Sequence, residues 1–338
     1  MIFDGQSPAA ITAAAQVLQR GDLLGLPTET VYGLAADAGN DAAVAKIFAA
    51  KGRPANHPLI VHVASAQEVT RFASQVPAFA QQLMDAFWPG PLTLILPRRA
   101  EVAAVAAGGQ NSVGVRCPSH EIAHAVLQAA QALGVYGVAA PSANLFGRVS
   151  PTTAAHVADE FGDDLLIIDG GACEVGIEST IVDCTRAAPV LLRPGVLTPQ
   201  QLSDVCGVTV ITPTVPDANA PRASGTLESH YAPQAKVQLM VAADLQKAID
   251  AYAHEKTNAV GTVAIWSRCD LQLPAVHATL FKWQAMPALP HECAHELFAQ
   301  LRRFDAQGVA CIWVETPPLT PEWDGVRDRL TRAATPTR

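Results

Sequence analysis

The spacing of apolar residues alternates between strand and helix patterns along the chain, which predicts an α/β protein. The opening MIFDGQSPAAITAAAQVLQR reads as a helix capped near Ser7-Pro8. Leu23 to Leu26 is a short apolar strand closed by Pro27. The polar turn Thr28-Glu29-Thr30 follows, and then Val31-Tyr32-Gly33-Leu34. From Asp41 to Ala50, Val44, Ile47 and Phe48 fall on one face of a helix. That helix delivers Lys51-Gly52-Arg53-Pro54 into a loop. Leu59 to Val63 reads as a buried strand, with His62 breaking the apolar run.

Further helices are predicted over residues 77–87, 119–133 and 152–161. Strands are predicted over 92–96, 113–116, 136–140, 165–169 and 178–183, and Val190-Leu191-Leu192 leads to Arg193 at another strand end. Trp88-Pro89-Gly90-Pro91 breaks its helix and reads as a rigid turn. Residues 108–112 read as a flexible polar loop.

From about Ile211 the composition shifts to Thr, Pro, Ala, Ser and Gly, which marks a linker. The chain therefore divides into residues 1–211, a linker over 212–235, and a second domain over 236–338. The second domain alternates strands at 236–241, 260–265 and 309–314 with helices at 243–255, 290–306 and 322–334. That order predicts a small open α/β domain. It carries no G-x-G-x-x-G, so nothing supports a dinucleotide site.

At 338 residues and 49% hydrophobic, the chain can bury a sizeable core. No apolar run reaches the length of a membrane span, and the N-terminus lacks a basic stretch followed by an apolar one. Seven cysteines without a C-x-x-C point to a reducing compartment rather than a disulfide framework, so a cytoplasmic location is expected. The net charge of −8 disfavours stable nucleic-acid binding, because phosphate backbones require cationic surface.

The candidate chemistry lies at element ends. Lys51 and Arg53, separated by Gly52 and followed by Pro54, make a polyphosphate clamp or a solvated helix C-terminus. Arg116 leaves a Val-Gly-Val strand, where it is either a ligand contact or a structural ion pair. With Arg193, three arginines stand at element ends close to Pro, as expected of cations gathered around one anion. Ser142 and Asn144 are either ligand contacts or a helix N-cap. There is no G-x-x-x-x-G-K-[ST], so an ATP site here is not a P-loop. His291-Glu292-Cys293-Ala294-His295 fits H-E-x-x-H, but it lies on an ordinary apolar stripe and no third ligand follows. No metal site is assigned to it.

KGRPANHPLIVHV, preceded by PTETVYGL and followed by PSAN, resembles the YrdC-like domain of the threonylcarbamoyl-AMP synthases. The resemblance runs over nearly the whole chain and is weaker after residue 200. It implies a YrdC-like twisted mixed sheet with helices, followed by a small Rossmann-like open α/β domain. It also implies that ATP, L-threonine and bicarbonate give threonylcarbamoyl-AMP and pyrophosphate. Magnesium is expected to ride on the ATP phosphates, and the product to pass to the tRNA threonylcarbamoyl transferase machinery. Lys51, Arg53 and Arg116 are the expected catalytic residues. Thr30, His62, Arg116, Ala140 and Ser179 are expected around the amino acid, with Arg116 on its carboxylate. Lys51, Arg53, His57, Ser112, Ser142, Asn144, Ser150, Arg193 and Tyr231 are expected around the nucleotide. His57 stands where many relatives have Asn. Residues 224–233, SGTLESHYAP, are expected to fold over the nucleotide as a lid.

Cations and hydroxyls at strand ends suit catalysis by positioning and charge stabilisation. Three other readings stay open from sequence: an RNA-binding module, a zinc hydrolase built on the HECAH helix, and a carbamoyl-adenylate former acting on another substrate.

Overall fold

A computed structural model of the chain describes residues 1–213, 217, 220–225, 231–255, 261–274 and 279–335. The chain forms two units, Met1–Phe146 with Ser150–Thr226, and Gly147–Val149 with Leu227–Arg338.

The first unit opens with β1 (Ile2–Asp4), α1 (Pro8–Gln19), β2 (Leu24–Leu26), β3 (Gly33–Asp37), α2 (Asp41–Lys51) and β4 (Ile60–His62). It continues through α3 (Val69–Phe72), α4 (Ala78–Phe87), β5 (Leu92–Pro97), β6 (Ser112–Arg116), α5 (Glu121–Ala132) and β7 (Val138–Ala139). It closes with α6 (Ala154–Phe161), β8 (Leu166–Asp169), β9 (Thr180–Asp183), β10 (Val190–Arg193) and α7 (Pro199–Cys206). Among the described residues its strands form one mixed sheet in the order β1-β8-β2-β3-β7-β4-β6-β5-β9-β10.

Alternation along the strands splits the core between the two sheet faces. Ala35, Val138 and Ala140 pack with α1 and α5 through Leu18, Ile122 and Val126. Leu34, Val61, Leu94, Val115 and Val182 share the other core with Ile47 of α2, Leu83 of α4 and Leu202 of α7. Each fully buried side chain of this size contributes about 1.5–3 kcal/mol.

The helix ends have local causes. Asn40 caps α2 by accepting from the Ala43 amide at 3.1 Å. Gly52 ends it at φ 62°, the left-handed conformation that glycine adopts without a Cβ penalty. Lys51 is thus the last residue of the helix, and the chain turns away at Arg53.

The second unit holds β11 (Lys236–Met240), α8 (Ala242–Glu255), β12 (Val263–Ser267), β13 (Phe281–Ala285), α9 (Pro290–Ala306), β14 (Cys311–Glu315) and α10 (Asp324–Ala334). Among the described residues its strands are parallel, in the order β11-β14-β12-β13. Cys293, Ala294, Leu297, Phe298, Leu301 and Phe304 form the buried stripe of α9, while His291 and His295 are exposed.

Several boundaries differ from the sequence expectation. The strand expected over 136–140 is only Val138–Ala139, the two residues that pair with both β3 and β4. The strand expected over 260–265 runs from Val263 to Ser267, following its pairing with β14 and β13. The expected linker is shared: residues 220–225 belong to the first unit and 231–235 to the second. Residues 226–230 of the expected lid lie outside the described residues. No helix among the described residues is long and apolar enough to cross a membrane.

Candidate active site

The site in the first unit is carried by five neighbouring strands, β4-β6-β5-β9-β10. His62 pairs with Arg116. Leu94 pairs with Val115, which makes Thr93 and Arg116 next in line. Thr93 pairs with Ile181, and Ile181 with Arg193. A bulge at Leu192 brings Arg193, rather than Leu192, opposite Ile181. Paired residues share a sheet face, as do residues two apart on one strand. His62, Arg116, Thr93, Ser179 and Arg193 therefore project from the same face.

The floor beside this polar row is apolar. Ile60, Ile95 and Ile181 cluster there, with Leu192 and Ala223 packed against them. Gly114 sits between Ile60 and Ile95; a Cβ at Gly114 would lie 3.1 Å from Ile95 Cδ1 and 3.5 Å from Ile60 Cγ1.

Arg116 is 3% exposed and held on several sides. Nε donates to the Gly90 carbonyl at 3.2 Å, Nη1 donates to Thr30 Oγ1 at 2.7 Å, and Nη2 lies 2.7 Å from Glu29 Oε1. The Trp88–Pro91 turn, expected only to be rigid, thus supplies an acceptor to the site. Thr30 is fixed in turn by Thr28, 3.0 Å away between hydroxyls. Burial alone would raise the Glu29 carboxyl, but the charge and bond of Arg116 and the nearby amides of Glu29 and Ser119 hold it below its ordinary range. Burial, and next the Arg116 charge, push His62 down to about 3, so its ring is neutral near pH 7.

Arg193 is 2% exposed. Its Nε and Nη2 donate to the Ser179 carbonyl at 3.1 and 2.8 Å, and Nη2 also donates to Ser179 Oγ at 3.1 Å. The Ser179 and Thr93 hydroxyls are 2.7 Å apart. Arg193 Nη1 donates to the Ser224 carbonyl at 2.9 Å. Arg53 Nη2 donates to Ser224 Oγ and to the Pro58 carbonyl, each at 3.1 Å, and its guanidinium lies 5.8 Å from the Phe146 ring centre. His57 meets the same ring edge-on at 5.6 Å, and burial, then Arg53, lower its pKa.

Lys51 is buried, and its ammonium donates to the carbonyls of Ser142, at 2.6 Å, and Asn144. Burial, then the Arg53 charge, hold its pKa well below the ammonium range, against the pull of Glu160 and Glu178. Glu178 accepts from Ser150 Oγ at 2.5 Å. Ala140 lies beside Gly33, where a Cβ on Gly33 would come within 3.0 Å of Ala140 Cβ.

The structure thus sets His62, Arg116, Ser179 and Arg193 in one row, bonds Thr30 to Arg116, joins Arg53 to Arg193 through Ser224, and ties Lys51 to the carbonyls of Ser142 and Asn144. Ser112 stands at the other end of β6, four residues from Arg116 or roughly 13 Å along the strand. Tyr231 lies in the second unit at φ 61°, a rare conformation for an aromatic residue. Its ring is 5.3 Å from that of Phe298, and the Arg329 guanidinium lies over it. Sequence reasoning missed Glu29, Thr93 and Ser224. Glu29 and Ser224 sit in polar stretches where a solvated surface group is the ordinary reading, and Thr93 in an apolar strand where it reads as packing; only long-range pairing brings each to the site.

Fold and site define an α/β protein whose buried arginines, lysine and small hydroxyls are a set suited to an anionic ligand. Residues 16–195 match the Sua5/YciO/YrdC family, described as telomere recombination, and residues 197–335 match the family described as threonylcarbamoyl-AMP synthase, C-terminal domain. The chain belongs to the Sua5/YciO/YrdC family. It is 46% identical over 230 residues to the threonylcarbamoyl-AMP synthase of Pyrococcus abyssi, covering 67% of this chain and 66% of that protein. It is 36% identical over 329 residues to that of Bacillus subtilis, covering 96% and 92%. The crystal structure of P. abyssi Sua5 complexed with L-threonine is similar with a TM-score of 0.85 at 36% identity, covering 96% of this chain and 94% of that one.

Proposed function

We propose that this chain synthesises threonylcarbamoyl-AMP. L-threonine and bicarbonate condense to N-carboxy-threonine with loss of water. The new carboxylate attacks the α-phosphate of ATP and displaces pyrophosphate. The observation that carries this reading is the single row of His62, Arg116, Thr93, Ser179 and Arg193 on one sheet face, joined to Arg53 through Ser224. The row offers polar partners for an amino acid beside cations suited to a nucleotide. The L-threonine complex of P. abyssi Sua5 supports the choice of amino acid.

Arg116 receives the threonine carboxylate, with Thr30, His62, Ala140 and Ser179 around the amino acid. Lys51, Arg53 and Arg193 stabilise charge that develops on the phosphates. His57, Ser112, Ser142, Asn144 and Ser150 complete the nucleotide contacts from the first unit. Magnesium arrives with the ATP phosphates. Glu178 accepts from the Ser150 hydroxyl, which suits a metal carried by the nucleotide rather than by the protein. The reaction runs in the cytoplasm, and the product passes to a tRNA threonylcarbamoyl transferase machinery.

Pyrophosphate release from ATP tests this assignment. Release should need both L-threonine and bicarbonate, and should fall by roughly a hundredfold or more in Arg116→Ala. Release that ignores threonine would assign the site to another substrate.

A further inference from the structure

The pair Glu29–Arg116 is buried yet incompletely bonded. Arg116 uses Nε and Nη1 on Gly90 and Thr30, while Nη2 meets Glu29 Oε1 at 2.7 Å without an aligned hydrogen bond. Arg116 and the amides of Glu29 and Ser119 lie close to the Glu29 carboxylate, yet none meets an oxygen in good hydrogen-bond alignment, and the residue is 2% exposed. Buried polar atoms in this state are rare, because each forgoes water without replacing it. A donor and an acceptor thus stand together, each with bonding capacity to spare.

We propose that Glu29 receives the amino group of the amino-acid substrate, so that Glu29 and Arg116 together recognise a zwitterion. This rests on the functional reading above. An α-amino acid carries its carboxylate and its amino group on one carbon. Its carboxylate can accept from Arg116 Nη2 and its amino group can donate to Glu29, each in better alignment than the 2.7 Å contact between the two provides. The charges also match. With His62 neutral, the pair sums to zero before the ligand arrives and still sums to zero around a zwitterion. A ligand bearing only the carboxylate would leave a buried net negative charge, and one bearing only the amine a buried net positive charge. Both outcomes are costly in a desolvated site. Glu29 is therefore a specificity-determining residue for the free amino group.

Calorimetric titration of the full chain with L-threonine, N-acetyl-L-threonine and L-threoninamide tests this. Each derivative should bind at least about tenfold more weakly than L-threonine, the scale of one charged hydrogen bond. Glu29→Gln should weaken L-threonine roughly ten- to a hundredfold, keep ATP affinity within about threefold, and weaken N-acetyl-L-threonine no further. The wild-type comparison stands even where the variant does not fold. The proposal is overturned by N-acetyl-L-threonine binding as tightly as L-threonine, or by a folded Glu29→Gln with full threonine affinity. Wild-type protein that binds no L-threonine would instead overturn the synthase reading, and this proposal with it.

Discussion

Arg53 and Arg193 meet on one residue: Arg53 donates to the Ser224 hydroxyl at 3.1 Å, and Arg193 to the Ser224 carbonyl at 2.9 Å. One guanidinium comes from the loop after α2 and the other from the end of β10. Ser224 also donates to the Pro58 carbonyl at 2.9 Å. Ser224→Ala removes the hydroxyl and keeps the carbonyl. It should cost about 0.5–1.5 kcal/mol in chemical denaturation and raise the KM for ATP severalfold, with a smaller effect than Arg53→Ala.

Arg193 donates hydrogen bonds to Ser179 and Ser224 through three nitrogens. Lysine would keep the charge and lose the fork. Arg193→Lys should lower kcat/KM roughly ten- to a hundredfold and destabilise the fold by about 1–3 kcal/mol, because the Ser179 carbonyl loses its donors. Steady-state kinetics and denaturation on the same preparation read both effects.

The long periodic helices were legible in sequence. So were the strand ends that carry Arg116 and Arg193. β1 and β3 were not: each is short, and neither alternates apolar and polar residues. β13 and α7 also escaped, the first as an exposed edge and the second as a mostly polar helix closed by its Thr198–Gln201 capping box. The strand order could not be read, because β1 pairs with β8 and β5 with β9 across long intervening segments. For the same reason the site residues were named in sequence but their shared face was not. Glu29 shows the limit most clearly: its burial depends on Arg116, far away in sequence and next to it in space.

His62 gives a pH signature. Its folded-state value of about 3 lies below the ordinary 6.5, so the unfolded chain binds the proton more readily. The stability tied to neutral His62 is present above about pH 6.5 and is lost as the pH falls towards about 3, at about 1.4 kcal/mol per unit. Unfolding free energies measured from pH 8 to pH 4 should fall less steeply in His62→Asn than in the wild type.

Gly195 holds the turn after Arg193. A Cβ there would come within 2.5 Å of the Thr180 amide nitrogen and of Thr180 Oγ1. Gly195→Ala must therefore push β9 from β10 and move Arg193 away from Ser179. Activity should drop at least about tenfold, with a stability loss of about 1–3 kcal/mol by thermal or chemical unfolding.

The central claim concerns a single product built from three substrates. Mass spectrometry of a reaction with ATP, carbon-labelled bicarbonate and nitrogen-labelled L-threonine tests it most directly. A product containing AMP, one labelled carbon and one labelled nitrogen is the predicted result. AMP or ADP formed with neither label in a nucleotide product would contradict it.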